Sequence, residues 1–165
     1  MMSKNLSTLE ETFLADEMAP GQQTKIIDDI LVDADALVAL AKKDDSNHDK
    51  AMKISKTLQE RGVLWIFSPF TVAESATVLS YRVSQQSAKD FLSEIRRLDI
   101  EVLSLKEDDE KLVDVWFLKQ EKKGTSYFDC YNMAIMEKYK KLIPGIFSFD
   151  KIYSQNGFKA ARQLI

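Results

Sequence analysis

Short apolar runs alternate with amphipathic segments along most of the chain, and this alternation limits the possible folds more than any other feature. The apolar runs are predicted strands and the segments between them are predicted helices. This alternating order favours a parallel sheet covered on both faces. The sequence therefore predicts a three-layer α/β/α domain with a central parallel sheet of about four to five strands. The predicted strands cover residues 26–33, 63–67, 100–105 and 145–149, and the predicted helices cover residues 36–43, 47–61, 69–83, 87–98, 107–122 and 126–140.

The breaker pair Pro20-Gly21 precedes the first strand signal and indicates a boundary. We expect residues 1–24 to be an N-terminal extension that is either flexible or forms one short amphipathic helix. Residues 25–165 are predicted to form one domain, since a chain of 165 residues with 45% hydrophobic content can bury a core of its own.

The charge balance excludes a globally basic nucleic-acid binder. The net charge is -3 and the sequence pI is about 5.3, so a polyanion would have to be held by local contacts. A single cysteine, Cys130, excludes an internal disulfide framework, and a single histidine, His48, excludes zinc-finger spacing. We expect a cytoplasmic protein with no membrane-spanning segment.

Two acidic residues follow predicted strands directly, Asp33 after the first and Asp150 after the last. In a parallel α/β sheet, ligands bind beyond the carboxyl ends of the strands, so these positions are candidates for a functional site. The alternative is that each carboxylate only caps the next helix. Because Asp35 stands immediately before the predicted helix, we expect Asp35 rather than Asp33 to serve as that cap.

Two further acids lie on apolar helix faces. Glu74 shares a helical ridge with Phe70 and Val78, which indicates a half-buried carboxylate. Asp129 precedes Met133 on the same face of its helix, and the alternative for it is a solvated acid near a helix start. We therefore identify Asp33, Glu74, Asp129 and Asp150 as candidate catalytic and metal-binding residues.

A cluster of carboxylates requires a cation, because two unit charges about 4 Å apart repel by ~4 kcal/mol at an effective dielectric constant of ~20. The candidate ligands are all hard oxygens, which favours Mg²⁺ or Mn²⁺ over zinc or copper. Such ions activate water and neutralise charge on phosphoryl oxygens. This chemistry predicts phosphodiester hydrolysis.

Four stretches carry these acids in an order that resembles PIN domains. They are residues 30–37 (ILVDADAL), 68–74 (SPFTVAE), 126–134 (SYFDCYNMA) and 146–150 (IFSFD). The resemblance to PIN domains, and to VapC-type toxin ribonucleases among them, implies a Mg²⁺-dependent endoribonuclease. It also implies RNA as the substrate, the toxin role in a type II toxin-antitoxin pair, a cognate antitoxin protein as a partner, and a homodimer.

Supporting residues surround the acids in sequence. Ser148 stands two residues before Asp150, where it is expected to hydrogen-bond a carboxylate or a metal-bound water, and Asp35 is a second supporting residue. Lys151 and Arg82 are the candidates for contacting an RNA backbone.

Two other classes of function remain open at this point. The Asp33-Ala34-Asp35 string also begins phosphatases of the haloacid dehalogenase class, although Leu37 stands where Thr or Val is usual and no late acidic pair surrounds Asp150. The other class is a receiver-like or non-catalytic PIN-fold module that binds Mg²⁺ and a partner.

Overall fold

A five-stranded parallel sheet forms the centre of the computed structural model, which describes residues 29–165. The strand order is β3-β2-β1-β4-β5, with every neighbouring pair parallel. The predicted fold class, including the strand number, is confirmed. The strands are β1 (Asp29–Val32), β2 (Leu64–Phe67), β3 (Glu101–Val102), β4 (Gly145–Phe147) and β5 (Lys159–Ala160).

Helices cover both faces of the sheet. Seven α-helices and two 3₁₀ turns, at Glu107–Asp109 and Ala161–Gln163, lie within the described part of the chain. No helix in residues 29–165 is long and apolar enough to span a membrane. The α-helices are α1 (Ala34–Ala41), α2 (His48–Glu60), α3 (Thr71–Arg82), α4 (Gln85–Ile95), α5 (Lys111–Leu118), α6 (Tyr127–Lys138) and α7 (Lys151–Gln155).

The strands divide their side chains between two hydrophobic cores. In β1, Ile30 and Val32 enter the core under helices α1 to α4, whereas Leu31 enters the core under α5 to α7. In β4, Phe147 enters the first of these cores and Ile146 enters the second. This alternation follows from the two-residue period of a strand, and because both faces are covered the central strands are apolar throughout.

Several boundaries differ from the sequence-based expectation. The predicted helix over residues 107–122 is a 3₁₀ turn followed by the shorter α5, and the predicted third strand shrinks to two residues. The segment after Asp150, for which no element was predicted, contains α7 and the edge strand β5. The predicted extension of residues 1–24, with the first residues of the predicted strand 26–33, lies outside the described residues.

The order of the strands reverses at the centre of the sheet. From β1 the chain moves outward through β2 to β3, then returns to place β4 on the other side of β1. A crevice forms at such a switch point, beyond the carboxyl ends of the two central strands, and ligands of open α/β sheets bind there. Asp33 follows β1 and Ser148 follows β4, so both stand at this point.

The pairing of β4 with β5 depends on a residue without a side chain. A Cβ at Gly145 would collide with the backbone oxygen of Lys159 and with the Leu164 side chain. We predict that Gly145→Ala lowers the free energy of unfolding by about 1–3 kcal/mol, because the backbone of β5 must move away. Urea unfolding measures the change. Gln155→Ala, at an exposed position of α7, is the control and is expected to lie within about 0.5 kcal/mol of wild type. An unchanged Gly145→Ala would contradict this close approach.

Candidate active site

The Asp33 carboxylate is buried at the end of β1 and accepts three hydrogen bonds. Its Oδ1 accepts from the backbone nitrogen of Ala34 at 2.9 Å and from Nδ2 of Asn132 at 3.1 Å. Its Oδ2 accepts from Oγ of Ser148 at 3.0 Å. Asp33 is also the N-cap of α1, so the expectation that Asp35 takes the capping role is wrong. The reason is that α1 begins two residues earlier than predicted, at Ala34.

Asp35 connects α1 to the loop after β4. Its Oδ2 accepts a hydrogen bond from the backbone nitrogen of Phe149 at 2.8 Å. Its Oδ1 is buried and has no hydrogen-bond partner among the described residues. A buried acceptor of this kind is costly unless something else fills its lone pairs, so this oxygen is a position where a ligand would be favoured.

Glu74 reaches the site because the buried Thr71 side chain holds α3 against the end of β1. Thr71 Oγ1 donates to the carbonyl of Val32 at 3.2 Å, whereas the buried Ser75 hydroxyl donates within α3 to the carbonyl of Thr71 at 2.7 Å. Glu74 lies between Thr71 and Ser75 and is half-buried, as expected. Its carboxylate forms no hydrogen bond within residues 29–165, which leaves the side chain free to turn toward a ligand.

Asp129 lies in the first turn of α6 and completes a capping box with Ser126. Its Oδ2 accepts from both the backbone nitrogen and Oγ of Ser126 at 2.8 Å. Its Oδ1 accepts from the Tyr153 hydroxyl at 3.2 Å. Asp129 thus lies near a helix start, as the alternative states, but it is only partly exposed and both of its oxygens are held by the protein.

Aromatic rings join the N-terminal ends of α3 and α6. Phe70, the N-cap of α3, stacks on Phe128 and meets Tyr131 edge to face, with ring centroids 4.9 Å apart in each pair. Aromatic pairs of this geometry contribute roughly 0.5–1.5 kcal/mol beyond their buried area. Glu74 and Asp129 follow Phe70 and Phe128 closely in sequence, so this contact fixes the relative position of the two helix starts that carry the carboxylates.

Asp150 stands at the rim of the site and is exposed. It is the N-cap of α7, and its Oδ1 accepts from the backbone nitrogen of Ile152 at 2.8 Å. Ser148 lies beneath it, since Ser148 Oγ accepts from the backbone nitrogen of Asp150 at 3.0 Å while donating to Asp33. The capping alternative thus describes one real function of Asp150, and its role in chemistry stays a prediction.

The acids act on one another electrostatically. Burial, followed by the charges of Asp35 and Asp129, holds the pKa of Asp33 well above its ordinary value. Burial is also the largest cause that raises the pKa of Asp35 to about 6, with the charge of Asp150 adding to it. Burial and the charges of Asp129 and Asp35 raise the pKa of Glu74. All five carboxylates therefore belong to one electrostatic cluster, with Asp150 coupled to it through Asp35.

No lysine or arginine of the described residues pairs with this cluster. Within residues 29–165 none of the five carboxylates forms an ion pair with a lysine or arginine side chain. In the same residues, no three His, Cys, Asp or Glu side chains stand close enough to form a ready ion site. The donor set nevertheless fits a hard divalent ion, because it offers only oxygens, including the unpartnered Oδ1 of Asp35.

The two candidate RNA contacts differ in their distance from the acids. Lys151 is exposed next to Asp150, at the start of α7. Arg82 is exposed in the last turn of α3, eight residues beyond Glu74. At 1.5 Å per residue this separation is about 12 Å along the helix axis, so Arg82 lies farther from the acids than Lys151 does, and an RNA contact by either residue stays a prediction.

Comparison with known proteins identifies the family of this chain and agrees with its fold. Residues 30–159 match the family model of the PIN domain. The chain belongs to the PIN domain family. The fold of this PIN domain is similar to the crystal structure of VapC20 from Mycobacterium tuberculosis, a sarcin-ricin loop cleaving toxin, with a TM-score of 0.65. Sequence identity is 24%, over 79% of this chain and 96% of VapC20, and a likeness at that identity shows the fold alone. No curated protein matches the sequence significantly.

Two residues of this PIN-domain site were not predicted from the sequence, Asn132 and Tyr153. Asn132 carried a detectable signal, because an amide inside the buried run between Tyr131 and Met133 must find partners. Tyr153 carried none, since it lies in a helix of five residues that is too short to show periodicity.

The raised pKa values predict an unusual pH dependence of stability. The folded-state pKa of Asp35 is about 6 and those of Asp33 and Glu74 are raised, so the folded protein binds these protons more tightly than the unfolded chain does. The cost of the ionised carboxylates is therefore present at pH 7 and is relieved as the pH falls through about 6. Without divalent ions, we predict that the melting temperature rises by about 2–6 °C between pH 7 and pH 5.

Calorimetry at a series of pH values checks this dependence. Asp35→Asn should flatten the rise, because the amide does not titrate, whereas the exposed Asp99→Asn should leave it unchanged. A melting temperature that falls steadily from pH 7 to pH 5 would contradict the burial of these charges.

Proposed function

We propose that this PIN domain is a Mg²⁺- or Mn²⁺-dependent endoribonuclease, acting as the toxin of a type II toxin-antitoxin pair. The observation that carries the proposal is a cluster of mutually repelling carboxylates at the switch point of the sheet, with which no lysine or arginine of residues 29–165 forms an ion pair. A protein retains such repulsion where the charges serve a ligand, since perturbed carboxylates concentrate at functional sites. PIN-domain nucleases generally use divalent metals, which agrees with the donor set.

Asp33 and Asp129 are the residues that would hold the ion most firmly, with Glu74 beside them and Asp150 at the rim. A bound divalent ion polarises the phosphoryl oxygens and lowers the pKa of its water. The other residues orient the ligands: the Ser148 hydroxyl donates to Asp33, and the Ser126 backbone and hydroxyl fix Asp129.

Glu74 is the acid best suited to accept a proton from the attacking water. Its pKa is raised, which brings a carboxylate closer to the range in which general bases work efficiently. It is also free of hydrogen bonds within the described residues, so it can turn toward the water. Asp33 and Asp129 lack this freedom because their oxygens are already held.

The charge of the chain favours a target recognised by its shape. With a net charge of -3 and few basic residues near the acids, non-specific attraction to RNA phosphates is weak. A structured RNA loop presents unpaired bases and a defined backbone path, and such loops are the usual targets of sequence-specific recognition. VapC20, whose fold this domain shares, is described as a sarcin-ricin loop cleaving toxin, and we propose a structured RNA loop as the target of this chain as well.

A toxin of this kind needs an inhibitor in the same cell, so we propose a cognate antitoxin protein as a partner. We also propose a cytoplasmic location, which agrees with the buried, unpaired thiol of Cys130. The competing function is a PIN fold retained only for binding. The intact set of four acids favours catalysis over that alternative, and the family match removes the support for a haloacid dehalogenase-like phosphatase.

Glu74→Gln is the sharpest test of this function. The substitution removes one charge and breaks no hydrogen bond among the described residues, so the fold should persist with an equal or higher melting temperature. We predict at least a ~100-fold loss of RNA cleavage, the lower range for loss of a general base. Cleavage of a labelled structured RNA in Mg²⁺ or Mn²⁺ measures the effect, with the exposed Glu94→Gln on α4 as the control.

Asp33→Asn extends the same test to the proposed metal ligands. The variant should still fold, because Ser148 Oγ can reverse its hydrogen bond and accept from the new amide. Cleavage should disappear in this variant and in wild type with excess EDTA. Cutting that continues undiminished in EDTA would show that the acids do not serve a metal-dependent reaction.

An exposed apolar patch supports the proposal of a homodimer. Three of its members project from α5, where Leu118 is 83% exposed, and two from the start of α6. Phe117 and Tyr127 connect the two groups, with ring centroids 5.6 Å apart. A continuous apolar surface of this kind typically marks an interaction site, and most soluble oligomers are symmetric dimers. The apolar patch consists of Val115, Phe117, Leu118, Tyr127 and Phe128.

We predict that light scattering at high micromolar concentration gives the mass of a dimer. Leu118→Glu should shift the mass toward the monomer, because a charge in the buried centre of an interface has no partner. Met52→Glu is the matched control, since Met52 is an exposed apolar residue of α2 on the opposite face of the sheet. A monomeric wild-type protein at that concentration would rule out the dimer.

A further inference from the structure

A continuous chain of hydrogen bonds joins the two most strongly held carboxylates through neutral side chains. Asn132 donates from Nδ2 to Oδ1 of Asp33 at 3.1 Å and to the Tyr153 hydroxyl at 3.0 Å. The Tyr153 hydroxyl in turn donates to Oδ1 of Asp129 at 3.2 Å. Both intermediate side chains are buried, with Tyr153 only 1% exposed.

The direction of these hydrogen bonds is determined by the donors available. A carboxylate accepts only, so Asp33 requires the NH₂ group of Asn132 and Asp129 requires the hydroxyl proton of Tyr153. The second proton of the amide then remains for the Tyr153 oxygen. If the Asn132 amide were flipped, its oxygen would face the Asp33 carboxylate and the Tyr153 oxygen, so acceptors would face acceptors. Each of the three protons therefore has one position, and the two carboxylates are held at a defined separation.

Filling the core does not require the Tyr153 hydroxyl. Phenylalanine would occupy the same space, and burying a hydroxyl is unfavourable unless it is hydrogen-bonded. Tyr139 offers a contrast at the far end of α6, since its buried hydroxyl has no partner among the described residues. The Tyr153 hydroxyl differs because both of its hydrogen bonds lead to the acidic cluster.

We propose that Tyr153 and Asn132 form a neutral bridge that positions Asp33 and Asp129 to receive a divalent ion. Both are positioning residues, because neither needs to touch the substrate. The bridge supplies one donor to each of two carboxylates that repel each other, so the pair keeps its separation without the ion. The inference rests on the proposed function. It gives a role in the site to Tyr153, a residue of α7, which is a helix that was not predicted from the sequence.

Tyr153→Phe tests the bridge by removing one oxygen atom. Calorimetric titration of the folded protein with Mn²⁺ alone measures the affinity, which should fall about 10–100-fold, as is typical when a group that orients metal ligands is lost. Tyr139→Phe is the matched control, since it removes a buried hydroxyl from the same core without a link to the acids, and its affinity should equal that of wild type. Cleavage by Tyr153→Phe should recover at saturating Mn²⁺ and fall at limiting Mn²⁺.

Asn132→Ala completes a double-mutant cycle on the Mn²⁺ affinity. If the two residues act as one bridge, the double variant should lose much less than the product of the two single losses. The cycle also keeps the inference testable should one variant fold poorly. Wild-type Mn²⁺ affinity in Tyr153→Phe, or losses that multiply in full, would overturn the bridge while leaving the nuclease proposal intact. A wild-type protein that binds no Mn²⁺ would overturn both.

Discussion

The burial of one carboxylate, that of Asp33, determines how the functional end of the sheet is arranged. A buried charge is tolerated only when hydrogen-bond donors surround it. The donors come from the start of α1, from Asn132 on α6 and from Ser148 after β4, the last being 115 residues away in sequence. Satisfying this single group therefore fixes the two central strands and a helix from the opposite layer relative to one another.

The remaining acids differ in how firmly the protein holds them. Asp129 is fixed by the capping box and the Tyr153 hydroxyl, and Asp35 is fixed on one oxygen by the backbone of Phe149. Glu74 sits on a firmly docked helix but has a free side chain within the described residues. This division suits a site in which some carboxylates must keep a constant geometry and another must move with a proton. Whether a carboxylate is rigid or free to move thus depends on how many hydrogen bonds its oxygens accept.

Much of the fold could be predicted from the sequence because its signals are local. Buried parallel strands are apolar throughout and the helices between them are amphipathic, so their order was readable, and the acids after β1 and β4 followed from the direction of the strands. The tail was not predictable, because α7 has five residues and β5 has two, too few for either period to show. The cap of α1 was assigned to the wrong residue because a helix start is uncertain by one or two positions. The partners of Asn132 depend on contacts 99 and 21 residues distant, which no local pattern records.

The capping and functional interpretations of these acids turn out to be compatible, and the reason lies in the helix dipoles. Asp33 caps α1, Glu74 lies in the first turn of α3, and Asp129 lies in the first turn of α6. Each helix N-terminus carries a partial positive charge of roughly +0.5, so three of them offset about half of the charge of three carboxylates. These partial charges reduce the repulsion among the ionised acids. They do not neutralise it, and the negative charge that remains is what a divalent cation would satisfy.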